Sequence, residues 1–92
     1  MKQTTIDLRN IHTPGAAQVY IEYAMNFPAY YGRNLDAMYD MLTEISEPTL
    51  LSILRPAQLS EPMQAYFPRL ARVLHDAQEA NDRLQVVVDI VF

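Results

Sequence analysis

Three short apolar runs limit the folds open to this chain more than any other feature of its sequence. They span residues 4–8, 49–54 and 84–92, and each is rich in β-branched or aliphatic side chains, as strands are. Between them lie segments whose apolar residues recur at helical spacing. Strands that alternate with helices predict an α/β fold with a parallel sheet. The 92 residues are expected to form one domain, spanning 1–92.

The sequence predicts about four helical segments packed with a three-stranded parallel sheet. These segments span residues 13–25, 34–47, 55–59 and 68–81. Pro48 ends the second segment, and residues 60–67 are expected to be irregular because prolines interrupt and follow them. The run 49–54 is short, continuous and flanked by prolines, which favours a strand buried on both faces. Asn81 is a candidate for a left-handed C-cap after the last helix.

The segment over 34–47 has two unlike sides, and Asn34 is a good N-cap for it. Its apolar side consists of Leu35, Met38, Met41, Leu42 and Ile45. On the polar side Asp36, Asp40 and Glu44 are four residues apart, so these like charges follow one line, named here the acidic stripe. No Lys or Arg after Arg33 neutralises the stripe within the segment. A solvated helix face explains such a pattern, and so does a surface that binds a cationic partner.

Three tyrosines, Tyr30, Tyr31 and Tyr39, lie at or near the start of this segment. A tyrosine beside carboxylates suits a protein interface, because it offers a large contact area, a polar tip and little rotamer entropy to lose. For one of Tyr30 and Tyr31, the alternative is that the side chain fixes the loop to the core.

Residues 28–40 also carry a motif that a known family shares. The motif reads Pro28-x-Tyr30-Tyr31-Gly32-x-Asn34-Leu35-Asp36-Ala37-x-x-Asp40. It resembles the core of the barstar family, which comprises intracellular protein inhibitors of secreted ribonucleases. Weaker similarity in pattern and length extends over essentially the whole chain. The resemblance implies the element order β-α-α-β-α-α-β, in agreement with the order read from the apolar runs.

The resemblance also implies a binding mode. Barstar-like inhibitors insert the helix that matches residues 34–44, with the preceding loop, into the cationic active-site cleft of the ribonuclease, where carboxylates replace RNA phosphates. On matching positions Asp40 occupies the phosphate site, and Asp36 and Thr43 flank it. The rim of the contact consists of Tyr30, Tyr31, Gly32 and Asn34. Asp76 matches a further acidic contact, and Glu79 takes its place if the register shifts.

Arg33, Tyr39 and Glu44 complete the expected partner-binding residues, and two of them depart from the family pattern. Arg33 stands where the best-known member has an acid, so the charge of part of the rim is reversed. Tyr39 replaces a tryptophan, as does Ile45, which changes the packing and the contact area.

The composition narrows the possible functions further. A formal net charge of −4 disfavours a nucleic-acid partner, because phosphate contacts need clustered Lys and Arg. The absence of cysteine excludes a disulfide framework and a thiolate metal site. The first residues resemble no signal peptide and no run approaches transmembrane length, so we expect a cytoplasmic protein without membrane contact.

Catalysis and metal binding are the less favoured alternatives. Asp36 and Asp40 on a solvated helix face lack the burial that would separate the pKa values of an acid and a base. His12 and His75 lie far apart in sequence, and no nucleophile motif or Gly-rich loop is present. Acids that all come from one straight helix cannot surround a hard cation. We therefore expect no enzyme activity, metal or cofactor.

The sequence thus predicts a ribonuclease inhibitor, a monomer that forms a 1:1 complex with a cationic enzyme. The first alternative is a non-inhibitory adaptor that docks its acidic helix on another basic protein. A metabolic enzyme is a distant third.

Overall fold

The chain forms a three-stranded parallel sheet with three helices. A computed structural model describes residues 1–92. In chain order the elements are β1 (Lys2–Asp7), α1 (Pro14–Met25), α2 (Leu35–Thr43), β2 (Thr49–Pro56), α3 (Glu61–Ala80) and β3 (Leu84–Val91). β2 is the central strand and is parallel to both neighbours. The predicted α/β class and parallel sheet are confirmed, whereas the helices number three instead of about four.

All three helices cover the same face of the sheet. Ile6, Leu51 and Ile53 point to this face, where they meet apolar residues of α1, α2 and α3 around one small internal space. The residues of β2 that alternate with them are only half-buried. The prediction that residues 49–54 are buried on both faces is therefore wrong. Parallel sheets are usually covered on both faces, but the three helices here form a single layer.

β2 is longer than predicted and replaces the helical turn expected over 55–59. Arg55 and Pro56 still pair with β3, and the Ala57 N–H donates to the Val91 carbonyl at 3.1 Å. β1 has already ended at this level, so the missing N–H of Pro56 breaks no ladder bond to it. The proline that suggested a helix start is thus the last residue of a strand.

α3 begins at Glu61, so residues 61–67 are helical rather than irregular and the predicted start at Pro68 is wrong. Ser60 is the N-cap, and its Oγ accepts a hydrogen bond from the Met63 N–H at 3.4 Å. Pro62 lies in the first turn, where a proline removes no helical hydrogen bond.

Pro68 lies inside α3, where it lacks the N–H that would donate to the Gln64 carbonyl. Such a proline costs roughly 3 kcal/mol. Met63, Tyr66 and Phe67 lie in the same helix and are buried in the core. Because each large apolar side chain contributes roughly 1.5–3 kcal/mol on burial, tertiary packing outweighs the local defect.

Two boundaries near α2 also differ from the prediction. α2 ends at Thr43 with Glu44 as its C-cap, so the helix stops well before Pro48. Asn81 follows α3 in an extended conformation (φ −137°, ψ 105°) and is not a left-handed cap. In this conformation the side chain of Asn81 bonds to the carbonyl groups of Leu42 and Ile45 at the end of α2.

Candidate partner-binding surface

The loop over residues 28–34 is held against the first turn of α2. Asn34 is the N-cap: its Oδ1 accepts from the Ala37 N–H at 2.8 Å, and its Nδ2 donates to the Gly32 carbonyl at 3.2 Å. A Cβ at Gly32 would lie 3.1 Å from Asn34 Nδ2 and 3.3 Å from Ala37 Cβ. Gly32 therefore allows an approach of loop to helix that a larger residue would obstruct.

The two loop tyrosines face opposite ways. Tyr30 is 79% exposed, whereas Tyr31 is 5% exposed. The Tyr31 hydroxyl donates to Gln18 Oε1 in α1, and its ring packs on Phe27 with 4.8 Å between the ring centroids. Burial raises the pKa of the Tyr31 phenol well above its usual value, and neighbouring acidic groups raise it further. Tyr31 is thus the tyrosine that fixes the loop to the core, and Tyr30 is available to a partner.

The acidic stripe lies on the exposed side of α2, with Glu44 at the C-cap. The buried residues Met38 and Leu42 hold the opposite side of the helix in the core. The ion pairs of the chain all involve other residues, so none of Asp36, Asp40 and Glu44 has a basic nitrogen within 4.0 Å. The stripe is available to an external cation.

Tyr39 and Thr43 border the stripe. The Tyr39 side chain is 36% exposed, so part of its ring can contact a partner. The Thr43 hydroxyl donates back to the Tyr39 carbonyl at 2.9 Å and lies 3.1 Å from the Asp40 carbonyl oxygen. Thr43 must give up this bond to donate to a partner.

Arg33 is exposed beside the N-terminus of α2, and its charge is already paired. Its Nε lies 2.6 Å from Glu22 Oε1 in α1. The residue is in the left-handed region (φ 54°), which is unfavourable for a side chain other than glycine. The ion pair with Glu22 fixes this strained residue and the loop end against α1.

Asp76 and Glu79 lie on the exposed side of α3, and each has a basic neighbour one turn away. Arg72 Nε is 3.3 Å from Asp76 Oδ1, and His75 Nε2 is 4.0 Å from Glu79 Oε1. Because α2 packs against α3, these acids and the acidic stripe belong to adjacent helices.

Three further observations concern metal, small-molecule and membrane binding. No group of three or more His, Asp or Glu residues is placed to hold a metal ion. A cleft of about 290 Å³ lies between α1, α2 and α3, with Asp36, Arg33 and Arg69 among its lining residues. None of the three helices is both long and apolar enough to cross a membrane.

A comparison with known families identifies the chain. The model of a family described as "Barstar (barnase inhibitor)" matches residues 1–92. The chain belongs to the barstar family. This barstar-family chain is also similar to a protein of Bacillus subtilis (strain 168) named "Putative ribonuclease inhibitor YrdF". The two are 29% identical over 91 residues, which cover 97% of this chain and all of that protein.

Two residues support this surface in ways that the sequence patterns do not predict: they do not single out Gln18, and they give Asn81 only the role of a helix cap. Gln18 lies in the buried side of α1 with Ala17 and Ile21, and a polar residue among buried apolar ones is a signal that a polar partner lies in the core. Asn81 bonds to carbonyls of Leu42 and Ile45, which are 39 and 36 residues away. No local pattern predicts a contact at that separation.

Proposed function

We propose that this protein inhibits a barnase-type ribonuclease by inserting α2 and the loop over 28–34 into the active-site cleft of the enzyme. The observation that carries the proposal is the unpaired acidic stripe, in a family described by its inhibition of barnase. The protein acts inside the cell on an enzyme that is otherwise secreted, and it forms a 1:1 complex with it.

Asp40 takes the place of an RNA phosphate. It is exposed at the middle of α2, with Asp36 one turn before it and Glu44 one turn after. Arginines, lysines and histidines that hold a phosphate form charge-assisted hydrogen bonds equally well with a carboxylate. Asp36 and Thr43 flank this central contact, and RNA and inhibitor compete for the same cations.

The tyrosines supply apolar contact area around the charged centre. Tyr30 is largely exposed and Tyr39 partly so, while Tyr31 acts from the core by holding the loop. Gly32 and Asn34 set the distance between the loop and α2. Exposed aromatic residues of this kind contribute much of the binding energy at protein interfaces.

Asp76 supplies a second, weaker acidic contact from α3. Its carboxylate is exposed and paired with Arg72 at 3.3 Å. An exposed pair of this kind is worth about 0–1 kcal/mol, so the exchange of Arg72 for a cation of the enzyme costs little. Glu79, one turn further along, takes this role if Asp76 does not reach the enzyme.

Mixing the purified protein with a barnase-type ribonuclease and following RNA cleavage tests the proposal. We expect inhibition that excess RNA relieves, because the two ligands share one site. Binding without any effect on cleavage would instead favour the adaptor, whose acidic helix docks on a basic protein away from an active site.

A further inference from the structure

Gln18 anchors the N-terminal end of the segment 30–45, which contains the last part of the loop, α2 and the turn after it. This side chain is 2% exposed. Its Nε2 donates to the Tyr66 hydroxyl of α3 at 2.7 Å, and its Oε1 accepts from the Tyr31 hydroxyl of the loop. One buried amide thus joins the loop to α1 and α3.

Asn81 anchors the other end of the same segment. Its side chain is 8% exposed, and its Nδ2 donates to the carbonyls of Leu42 and Ile45, both at 3.0 Å. Its Oδ1 accepts from the Arg83 N–H at 3.0 Å. The last carbonyls of a helix lack their usual partner within it. The Leu42 carbonyl accepts from the Ile45 N–H only at 3.4 Å, and Asn81 gives it a shorter hydrogen bond.

Other contacts also hold this segment: Leu35, Met41 and Ile45 pack against the core, Arg33 pairs with Glu22, and Arg83 Nη1 donates to the Ser46 carbonyl at 2.7 Å. Gln18 and Asn81 are the buried polar side chains that bond to its two ends. α2 has nine residues, which is below the length at which a helix is stable on its own. Only Met38 and Leu42 of the helix are fully buried. Neither the loop nor the turn after α2 belongs to the sheet, so side chains from other elements must define both ends.

We propose that Gln18 and Asn81 are positioning residues that keep the segment 30–45 in the conformation that binds the ribonuclease. The inference rests on the proposed function, and both residues act through the segment and do not touch the enzyme. An unpaired buried amide is costly, and each of these two amides uses one of its polar groups to bond to an end of this segment.

The proposal predicts a particular kinetic signature. When the binding-competent conformation is only partly populated, the apparent affinity falls by that fraction. The loss lies in the association rate constant, because the contacts of the finished complex are unchanged. A direct contact such as Asp40 differs, since its removal mainly speeds dissociation.

Gln18→Met and Asn81→Ala test the proposal, with Gln64→Met as the control. Gln64 is also an amide, but it is exposed, and its Nε2 bonds to the Leu59 carbonyl beside its own helix. At a temperature where all variants are folded, we expect each test variant to associate with a barnase-type ribonuclease roughly 3- to 10-fold more slowly, the equivalent of one ordinary buried hydrogen bond. Dissociation should change little, and the control should match the parent.

Hydrogen exchange in the free protein provides a second measurement that needs no partner. We expect Gln18→Met to speed exchange mainly over 30–36 and Asn81→Ala mainly over 42–46, with β2 unaffected. Tyr31→Phe added to Gln18→Met should cause little further slowing of association, because both changes remove the same bond.

Unchanged exchange in these segments, or equally faster exchange throughout the chain, would overturn the positioning role. So would an association rate equal to that of the parent in both test variants. If the parent itself fails to inhibit the ribonuclease, the proposed function is wrong, and the exchange measurement still decides whether the two amides hold the segment.

Discussion

The exposed sides of α2 and α3 are both rich in charge, but the charges are arranged in opposite ways. On α3, Arg72 pairs with Asp76 and His75 lies one turn from Glu79. On α2, three acids follow one another at the same four-residue spacing with no cation among them. Charges four residues apart therefore stabilise α3, where they are opposite in sign, and destabilise α2, where they are alike.

The charges of α2 also become less favourable along the helix. Asp36 lies in the first turn, where the helix dipole stabilises an anion, whereas Glu44 is at the C-cap, where the dipole opposes it. Each like-charge pair at this spacing costs about 0.2–0.5 kcal/mol. The polar side of α2 thus costs the free protein stability, while that of α3 is neutral or favourable.

Burial and capping maintain α2 despite this cost. Met38 and Leu42 are fully buried, and the Asn34 cap contributes roughly 1 kcal/mol. The difference between the two helices is the one that the proposed function requires, because the acids of α2 have no ion-pair partner in the chain, whereas Asp76 of α3 has one. Four predictions test this comparison.

The largest effect is expected for Asp40→Ala. Removal of its carboxylate leaves cations of the ribonuclease buried without a partner, which costs about 2–5 kcal/mol of binding free energy or more; the barnase–barstar complex is itself a reference case for losses of this kind. The fold should be unaffected, since Asp40 is exposed and only a like charge is lost. Inhibition constants measure the loss.

Glu61→Ala is the matched control for this prediction. Glu61 is an exposed acid in the first turn of α3 and lies outside the motif. We expect Asp36→Ala and Asp76→Ala to weaken inhibition less than Asp40→Ala, and Glu61→Ala to have almost no effect, with thermal melts checking that all variants are folded. Full inhibition by Asp40→Ala would refute the assignment of Asp40 to the phosphate site.

The second prediction concerns the field of the whole stripe. Opposed charges raise association rates by roughly 10- to 1,000-fold at low salt, and barnase with barstar is a reference case for this range as well. At high ionic strength the charges are screened over a few ångströms, so the association rate should fall steeply with salt. Stopped-flow rates that stay constant from low to high salt would contradict a role for the stripe in steering.

Local patterns predicted much of the fold. Thr13 and Pro14 start α1 as expected, and the Thr13 side chain accepts a hydrogen bond from the Ala16 N–H at 3.2 Å. The run that forms β3 was identified from its β-branched residues. These features depend on residues that are close together in the sequence, so local patterns are enough to predict them.

The errors in the predicted fold and site arise where distant residues decide the outcome. Pro68 breaks an isolated helix, but core packing on both sides of it maintains α3. Tyr30 and Tyr31 are equivalent in sequence until Gln18 supplies a buried acceptor to one of them. The stripe was predictable from its spacing, whereas the pairing of Arg33 with Glu22 required the packing of the loop on α1.

The third prediction uses Arg33, which lies just before the N-cap of α2. Arg33→Glu reverses a charge at the rim of the contact and should speed association with a strongly basic ribonuclease by about 2- to 5-fold. It also replaces the ion pair with Glu22 by two neighbouring acids that repel each other. The double variant Arg33→Glu with Glu22→Gln removes this repulsion, so it reports the effect of the rim charge alone. Stopped-flow association measures both, and slower binding by the double variant would mean that Arg33 makes an attractive contact with the enzyme.

The smallest effect tests the comparison in the free protein alone. Glu44→Lys places a cation one turn after Asp40 and at the C-terminal end of α2, where the dipole favours it, so the free energy of unfolding should rise by about 0.5–1 kcal/mol. Asp76→Lys removes the pair with Arg72 and sets two cations one turn apart, so the free energy of unfolding should fall by about 0.5 kcal/mol. Urea denaturation at low salt measures both changes, and each should shrink in 1 M salt, where charges are screened beyond about 3 Å. If Glu44→Lys instead destabilises the protein in low salt, the stripe is compensated within the free chain, and its charges need no partner to explain them.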